Sequence, residues 1–295
     1  MKPSLLSRPI PLAFSGFLLG GLGLGNLLAT YWAPVGSRVS LVFTLCWLYF
    51  TGQILLRWNF TLNQLQQAPA LASFATYPMG GMLVAAYLHA GPLAELASIV
   101  WWLSFLLHLC LIILFTCKYV LKKRLDLLGP PWTVLYVGIA MTTVTAGVVG
   151  LPALGRGVWS FSLILAVILF LALLRQLPAL IRQDTVAALW AILAAPLSLL
   201  LLGSIRLEIL PSNLVLLAFA QFFYLFVLLL FFKILKAPFN PTFSSMTFPV
   251  VVSALSLRAS QIPQLSLLVS FETIVAVLVV AYVGWQYLLF LFKEN

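Results

Sequence analysis

The chain has 295 residues, 63% of them hydrophobic and 7% charged, with a mean hydropathy of +1.13. So little charge cannot cover a soluble globular surface, which excludes an ordinary water-soluble domain and indicates an integral membrane protein in contact with a lipid bilayer. The net charge of +10 is distributed by topology, as shown below, and carries no sign of a nucleic-acid partner.

A membrane-crossing helix takes roughly 20 apolar residues, so the length holds about ten of them with short connections. The expectation is a single all-α transmembrane domain over residues 1–295. The opening residues, MKPSLLSRPI, run into an apolar stretch too long and glycine-rich for a cleaved signal segment, and lead instead into the first span. Apolar runs bounded by polar or Pro/Gly clusters predict spans at 11–31, 39–56, 71–88, 93–117 and 132–149, then 158–174, 185–202, 212–234, 244–257 and 265–292.

With ten spans, one side collects both termini and the connections from even to odd spans. That side holds Lys2, Arg8, Arg57, Lys118, Lys122, Lys123, Arg124, Arg175, Arg182, Lys233, Lys236 and Lys293, which is 12 of the 16 Lys and Arg. The other side holds Arg38, Arg156, Arg206 and Arg258. Such a bias predicts that both termini are cytoplasmic. Tyr31, Trp32, Trp58, Trp132 and Trp159 fall near helix ends, where an aromatic belt would sit.

A second alternation runs along the chain. The odd spans carry small and helix-breaking residues: Gly16, Gly20, Gly21, Gly23 and Gly25 in the first, Pro78, Gly80 and Gly81 in the third. Gly138, Thr142, Thr143, Thr145 and Gly147 follow in the fifth, Pro196 in the seventh and Pro249 in the ninth. The even spans are uniformly Leu- and Phe-rich. Lipid-facing helices can be so, whereas packed inner helices need small residues for backbones to approach. The pattern predicts five helical hairpins of roughly 55–60 residues, with the five odd helices in an inner ring around a central pore or packed core and the five even helices outside.

Within the ninth span, SSMTFPVVVSALSL carries five hydroxyls (Ser244, Ser245, Thr247, Ser253, Ser256) and an interior Pro249. Proline cannot donate to the helix ladder and disfavours α geometry at the residue before it, here Phe248. A helix defect at membrane depth is tolerated where protein or water covers it. From the residues alone Phe248 is either the constriction of a pore or core packing, the second being the commoner arrangement.

Two ionisable groups fall at membrane depth, His108 in the fourth span and Glu272 in the tenth. Both are functional candidates, as proton carriers for example, but their place on outer helices favours structural hydrogen bonds. Glu95 and Glu208 are expected to be solvated. Cys46, Cys110 and Cys117 are expected to be buried and inert, with no metal-ligand spacing. With two histidines and no nucleophile–base arrangement, neither an enzyme nor a cofactor is expected.

Five short pieces fall in order on the odd spans: Phe14-Ser15-Gly16 followed by GGLGLGN, Tyr77-Pro78, PWTVLYVGIA, Ala194-Ala195-Pro196, and Thr247-Phe248-Pro249. Over nearly its whole length the chain resembles the tellurite-resistance/dicarboxylate transporter family, which includes the plant slow-type guard-cell anion channels. The resemblance implies ten helices in five hairpins around a pore in each protomer, homotrimers, and a pore-blocking phenylalanine that maps onto Phe248. It maps helix-breaking prolines onto Pro11, Pro78 and Pro196. Tyr136 stands where some members have proline, leaving Gly138 to break the fifth helix. The expected pore-lining and helix-breaking set is Phe14, Gly16, Pro78, Gly138, Thr142, Pro196, Thr247 and Pro249. The implied function is a channel for small inorganic anions such as chloride or nitrate, in a multi-pass protein of a bacterial inner or plasma membrane. The alternative is a secondary transporter or exporter of dicarboxylates or oxyanions such as tellurite, proton-coupled through Glu272. Five like hairpins, rather than two inverted halves, favour the channel. The basic collar, the scattered external Arg38, Arg156, Arg206 and Arg258, and the lack of an acidic ring favour anions.

Overall fold

The computed structural model describes residues 9–292, and no strand occurs among them. Lys2, Arg8 and Lys293, used above for orientation, lie outside the described residues. In chain order the principal helices are α1 (Phe14–Ala29), α2 (Ala33–Leu56), α3 (Ala68–His89), α4 (Ala94–Val120) and α5 (Pro131–Val149). They continue with α6 (Pro152–Leu174), α7 (Ala188–Arg206), α8 (Leu214–Ile234), α9 (Pro241–Met246 continued by Thr247–Ala259) and α10 (Pro263–Phe292). Eight of them, all but α1 and α9, are long and apolar enough to cross a membrane.

The second and sixth spans begin six residues before their predicted starts. Pro34 and Pro152 stand in the first turns of α2 and α6. There the fixed φ of proline suits a helix, and its missing N–H would have had no partner anyway. The link from α5 to α6 is correspondingly short, and Gly150 takes a left-handed φ of 65° in it. Gly150→Ala is expected to cost about 1 kcal/mol, because a Cβ is strained at that φ; a lowered unfolding temperature in detergent would report it.

Burial alternates along the chain. Of the most apolar window, 72% is buried in α3 and 78% in both α5 and α7, against 28% in α2, 33% in α4, α6 and α10, and 39% in α8. In α9 every residue from 247 to 257 is buried. The exposed faces of the even helices are mainly Leu, Ile, Val and Phe, with Tyr49, Trp102, Tyr282 and Trp285 among them, as a lipid boundary allows. The cysteines correct the expectation of burial: Cys110 and Cys117 are exposed on α4 and Cys46 is half-buried on α2. Helices that turn most of their surface outward cannot hide every apolar residue.

α1 packs against α2, α3, α9 and α10. Its glycines divide the task. A Cβ at Gly21 would lie 2.1 Å from the Phe43 ring of α2, and one at Gly20 would lie 2.3 Å from Thr247 Oγ1 of α9.

Four of the buried helices are interrupted. α3 breaks at Phe74–Ala75, between the segments Ala68–Ser73 and Thr76–His89; α7 is 3₁₀ over Ala188–Ala194 and α9 over Pro241–Met246 before each becomes α-helical. Pro78, Pro196 and Pro249 all fall in the first turn of the second segment. Their missing N–H groups cost nothing there, and the residues four earlier, Phe74, Ile192 and Ser245, lie inside the break. This corrects the expectation for Phe248. It has helical geometry, and the discontinuity lies just before Thr247. α5 breaks without a proline, passing into a 3₁₀ stretch at Gly138–Ala140.

Ring N–H groups on even helices reach backbone carbonyls of the next odd helix. Trp47 Nε1 donates to Tyr77 O at 3.2 Å, His108 Nε2 to Leu135 O at 2.8 Å, and Trp159 Nε1 to Leu200 O at 2.8 Å. Leu135 is in the last turn before the α5 break, where carbonyls lack a continuing helix to bond. These bonds tie α2 to α3, α4 to α5 and α6 to α7. Trp159→Phe keeps the ring and removes the donor, so it is expected to cost about 1–2 kcal/mol by leaving a buried carbonyl unpaired, measurable as a lower unfolding temperature.

Candidate functional site

The site is built around the start of the α-helical part of α9. Gly16, Gly20 and Gly23 recur on one face of α1 and form a groove for α9. Thr247 Oγ1 lies 3.1 Å from Gly16 O and 2.7 Å from Ser244 O. On the other flank, Ser245 Oγ donates to Ala188 O of α7 at 2.7 Å. With its backbone held on both sides, Phe248 projects its ring between two cavities.

The larger of these two, called the larger cavity below, has a volume of about 350 Å³ and opens between the connections that follow the even helices, past Gln64 and Gln67. Gly16 and Leu19 of α1, Thr76 and Met79 of α3, and Thr133 and Gly138 of α5 line it. Pro196 and Leu199 of α7 and Ser244, Phe248 and Pro249 of α9 complete the wall. Beyond Phe248 lies a chamber of about 20 Å³, lined among others by Gly23, Asn26, Leu83, Met141, Val144 and Val252. Phe248 and Leu199 line both spaces and form the partition between them. A third cavity of about 600 Å³ lies on the opposite side of the molecule and shares Leu202, Arg206 and Leu255 with the small chamber. The three therefore stand in a row. The walls of the first two include residues of α1, α3, α5, α7 and α9 and none of an even-numbered helix.

None of the described residues that line the three cavities is acidic. Arg206 and Arg258 are the basic groups on their walls. Arg258 Nη2 donates to Thr30 O at 2.7 Å, and its guanidinium carbon sits 3.7 Å from the centre of the Tyr31 ring. On the basic side, Arg124 Nε donates to Asp126 Oδ1 at 3.1 Å, and this bond holds the Asp126 carboxyl below its ordinary pKa.

Phe248, Gly16, Gly138, Pro196 and Pro249 lie on cavity walls; Phe14, Pro78, Thr142 and Thr247 do not. Phe14 is two residues from Gly16 and so on another face of α1. Its ring packs against Phe17, Phe50 and Tyr287 with centroids 5.5, 5.6 and 4.9 Å away. Pro78 is buried beside the wall that Thr76 and Met79 form. Thr142 turns its hydroxyl to Met82 Sδ at 3.8 Å, and Thr247 spends its hydroxyl on carbonyls.

His108 stands behind Gly138, with Cε1 3.6 Å from where a Cβ of Gly138 would be, and braces α5 rather than facing a cavity. Glu272 is fully buried and off the cavity walls. It rests against Ser253 and Gln221, and neither of its oxygens has a hydrogen-bond partner among the described residues. Sequence reading missed Leu199, Met79, Met141 and Asn26 as wall residues. Leu199 follows Pro196 by one turn, which was the available signal.

A family model, SLAC1, described as voltage-dependent anion channel, matches residues 10–291. No curated protein matches the chain.

Proposed function

The chain belongs to the voltage-dependent anion channel family, and from that premise we propose that it conducts small inorganic anions, such as chloride or nitrate, through a passage inside each protomer that Phe248 closes. Membership sets it among channels and transporters, not enzymes. The observation that carries the reading is the pair Phe248 and Leu199, standing alone between two cavities whose walls come from α1, α3, α5, α7 and α9. In this reading those helices are the inner ring of five hairpins, ten spans in all, and the even helices face lipid.

An ion cannot shed its water cheaply beside an aromatic ring and a leucine, so an apolar constriction blocks conduction until the ring moves. The breaks in α3, α5, α7 and α9 keep the wall irregular where water covers it, which lipid would not permit. Selectivity arises from field and size: Arg206 and Arg258 at the outer mouth, hydroxyls along the larger cavity and no carboxylate on the walls. The basic collar supports an orientation with the larger cavity open to the cytoplasm, in the plasma membrane of a bacterium. The homotrimer rests on the family resemblance.

The test is planar-bilayer recording with reversal potentials in asymmetric chloride. A proton-coupled transporter of dicarboxylates or oxyanions is favoured by one observation, the buried Glu272. Because Glu272 lines neither of the two cavities that meet at Phe248, Glu272→Gln is expected to leave the reversal potential unchanged, and a pH gradient is expected not to drive flux. Flux that saturates at millimolar substrate, or that needs a proton gradient lost in Glu272→Gln, would move the assignment to the transporter.

A further inference from the structure

The passage has a second feature beyond the partition. Arg206, in the last turn of α7, lines both the small chamber and the outer cavity, so an ion passing between them passes this residue. We infer that Arg206, with the amide of Asn26, forms a transient anion site beyond Phe248 and is the side chain that sets anion over cation preference.

The two arginines of the outer cavity differ in how much of their donor capacity is spent. Arg258 is held by a 2.7 Å bond to Thr30 O and stacks on Tyr31; it lines the wide cavity and not the chamber. Arg206 makes one long bond, Nη1 to Val144 O at 3.4 Å, and has no ion pair among the described residues. Guanidinium carries five N–H donors and accepts nothing, so most of its donors remain available to an anion. Asn26 lines the same chamber, and its side-chain amide has no hydrogen-bond partner among the described residues. Its NH₂ can donate to an anion, or its carbonyl can accept from Arg206. Glu208, two residues on, is exposed, makes no ion pair with Arg206 among the described residues and lines none of the three cavities. Val144, Leu202, Val252 and Leu255 make the chamber side of Arg206 apolar, while its other side is exposed toward the outer cavity. A chamber of about 20 Å³ admits an ion with little or no water beside it. An interaction with the ion itself therefore matters most at this point.

The inference rests on the conduction reading, and the experiment separates the two. In the Phe248→Ala background, Arg206→Gln is expected to lower the chloride-to-potassium permeability ratio about tenfold, and Arg206→Glu to bring it to unity or below. Arg206→Lys keeps the charge and is expected to hold the ratio within about twofold, while Arg258→Gln changes it less than about twofold. A conducting Phe248→Ala protein whose ratio ignores Arg206→Gln, or falls equally in Arg258→Gln, overturns the inference and leaves the channel standing. A silent Phe248→Ala protein refutes the channel reading, and a second readout then decides the site. In the unmutated protein, phenylglyoxal adducts at Arg206 and at exposed Arg38 are quantified by peptide mass spectrometry with and without nitrate. Selective slowing at Arg206 is expected; no slowing, or equal slowing at both, overturns the site.

Discussion

Phe248→Ala is expected to raise the anion conductance of the purified protein in planar bilayers by at least about an order of magnitude. In a chloride gradient the reversal potential should lie on the chloride side of zero. The ring is one of two groups between cavities of about 350 and about 20 Å³, and its removal joins them. Stripping water from an ion in apolar surroundings costs several kcal/mol, and each 1.4 kcal/mol removed from a barrier is tenfold in rate. Truncating a core phenylalanine typically costs about 3–5 kcal/mol. Here the ring borders open space on two sides, so the stability loss should fall below that range and the variant should fold. Leu199→Ala added to Phe248→Ala should increase conductance again, because Leu199 then remains as the narrowest contact. A silent double variant, or one that passes potassium as readily as chloride, would count against the mechanism.

The second large effect is expected at Gly20. A methyl group there would lie 2.3 Å from Thr247 Oγ1 and 3.0 Å from the Phe248 backbone nitrogen. Backbone cannot swing aside as a side chain can, so α1 and α9 would have to separate. Overpacking of this kind costs about 1–3 kcal/mol, and it acts on the segment that aims the Phe248 ring. Gly20→Ala should lower both folded yield and unfolding temperature, and the surviving protein should leak anions. Gly157→Ala is the matched control. It lies within α6 with nothing within 4 Å of its added methyl, so the gain in helix propensity should stabilise by up to about 1 kcal/mol. Opposite signs for two identical substitutions would tie the effect of Gly20 to the α1–α9 contact.

The two sites also show what sequence could and could not disclose. The Gly- and Pro-rich runs around Gly20, Gly138, Pro196 and Pro249 separated buried helices from lipid-facing ones, because only small residues let backbones come this close. Pro249 likewise drew attention to Phe248. The face of each helix was much less legible. In a soluble helix polar residues mark the outside, but here both faces of α1 and α5 are apolar, and a shift of two residues separates Gly16 on the wall from Phe14 behind it. Thr142 and Thr247 looked like pore hydroxyls and proved to be bonded within the protein. Leu199 was hidden in an unbroken run of leucines. Arg206 is legible in the sequence as one of four external arginines favouring anions, but not as a wall residue, since its approach to the chamber depends on where α7 ends relative to α5. The starts of α2 and α6 precede the apolar runs because Pro34 and Pro152 occupy first turns, where a proline opens a helix instead of ending one.

The most direct measurement is thiol accessibility along the row of cavities. With Cys46, Cys110 and Cys117 replaced by serine, a single cysteine is introduced at Met79, in the larger cavity, or at Val252, in the small chamber. A membrane-impermeant thiol reagent is then applied from the side on which the larger cavity opens. Met79→Cys should react whether residue 248 is Phe or Ala, whereas Val252→Cys should react from that side only when Phe248 has been replaced by Ala. Equal labelling of Val252→Cys with the phenylalanine in place, or none after its removal, would contradict the claim that this one ring interrupts a continuous path.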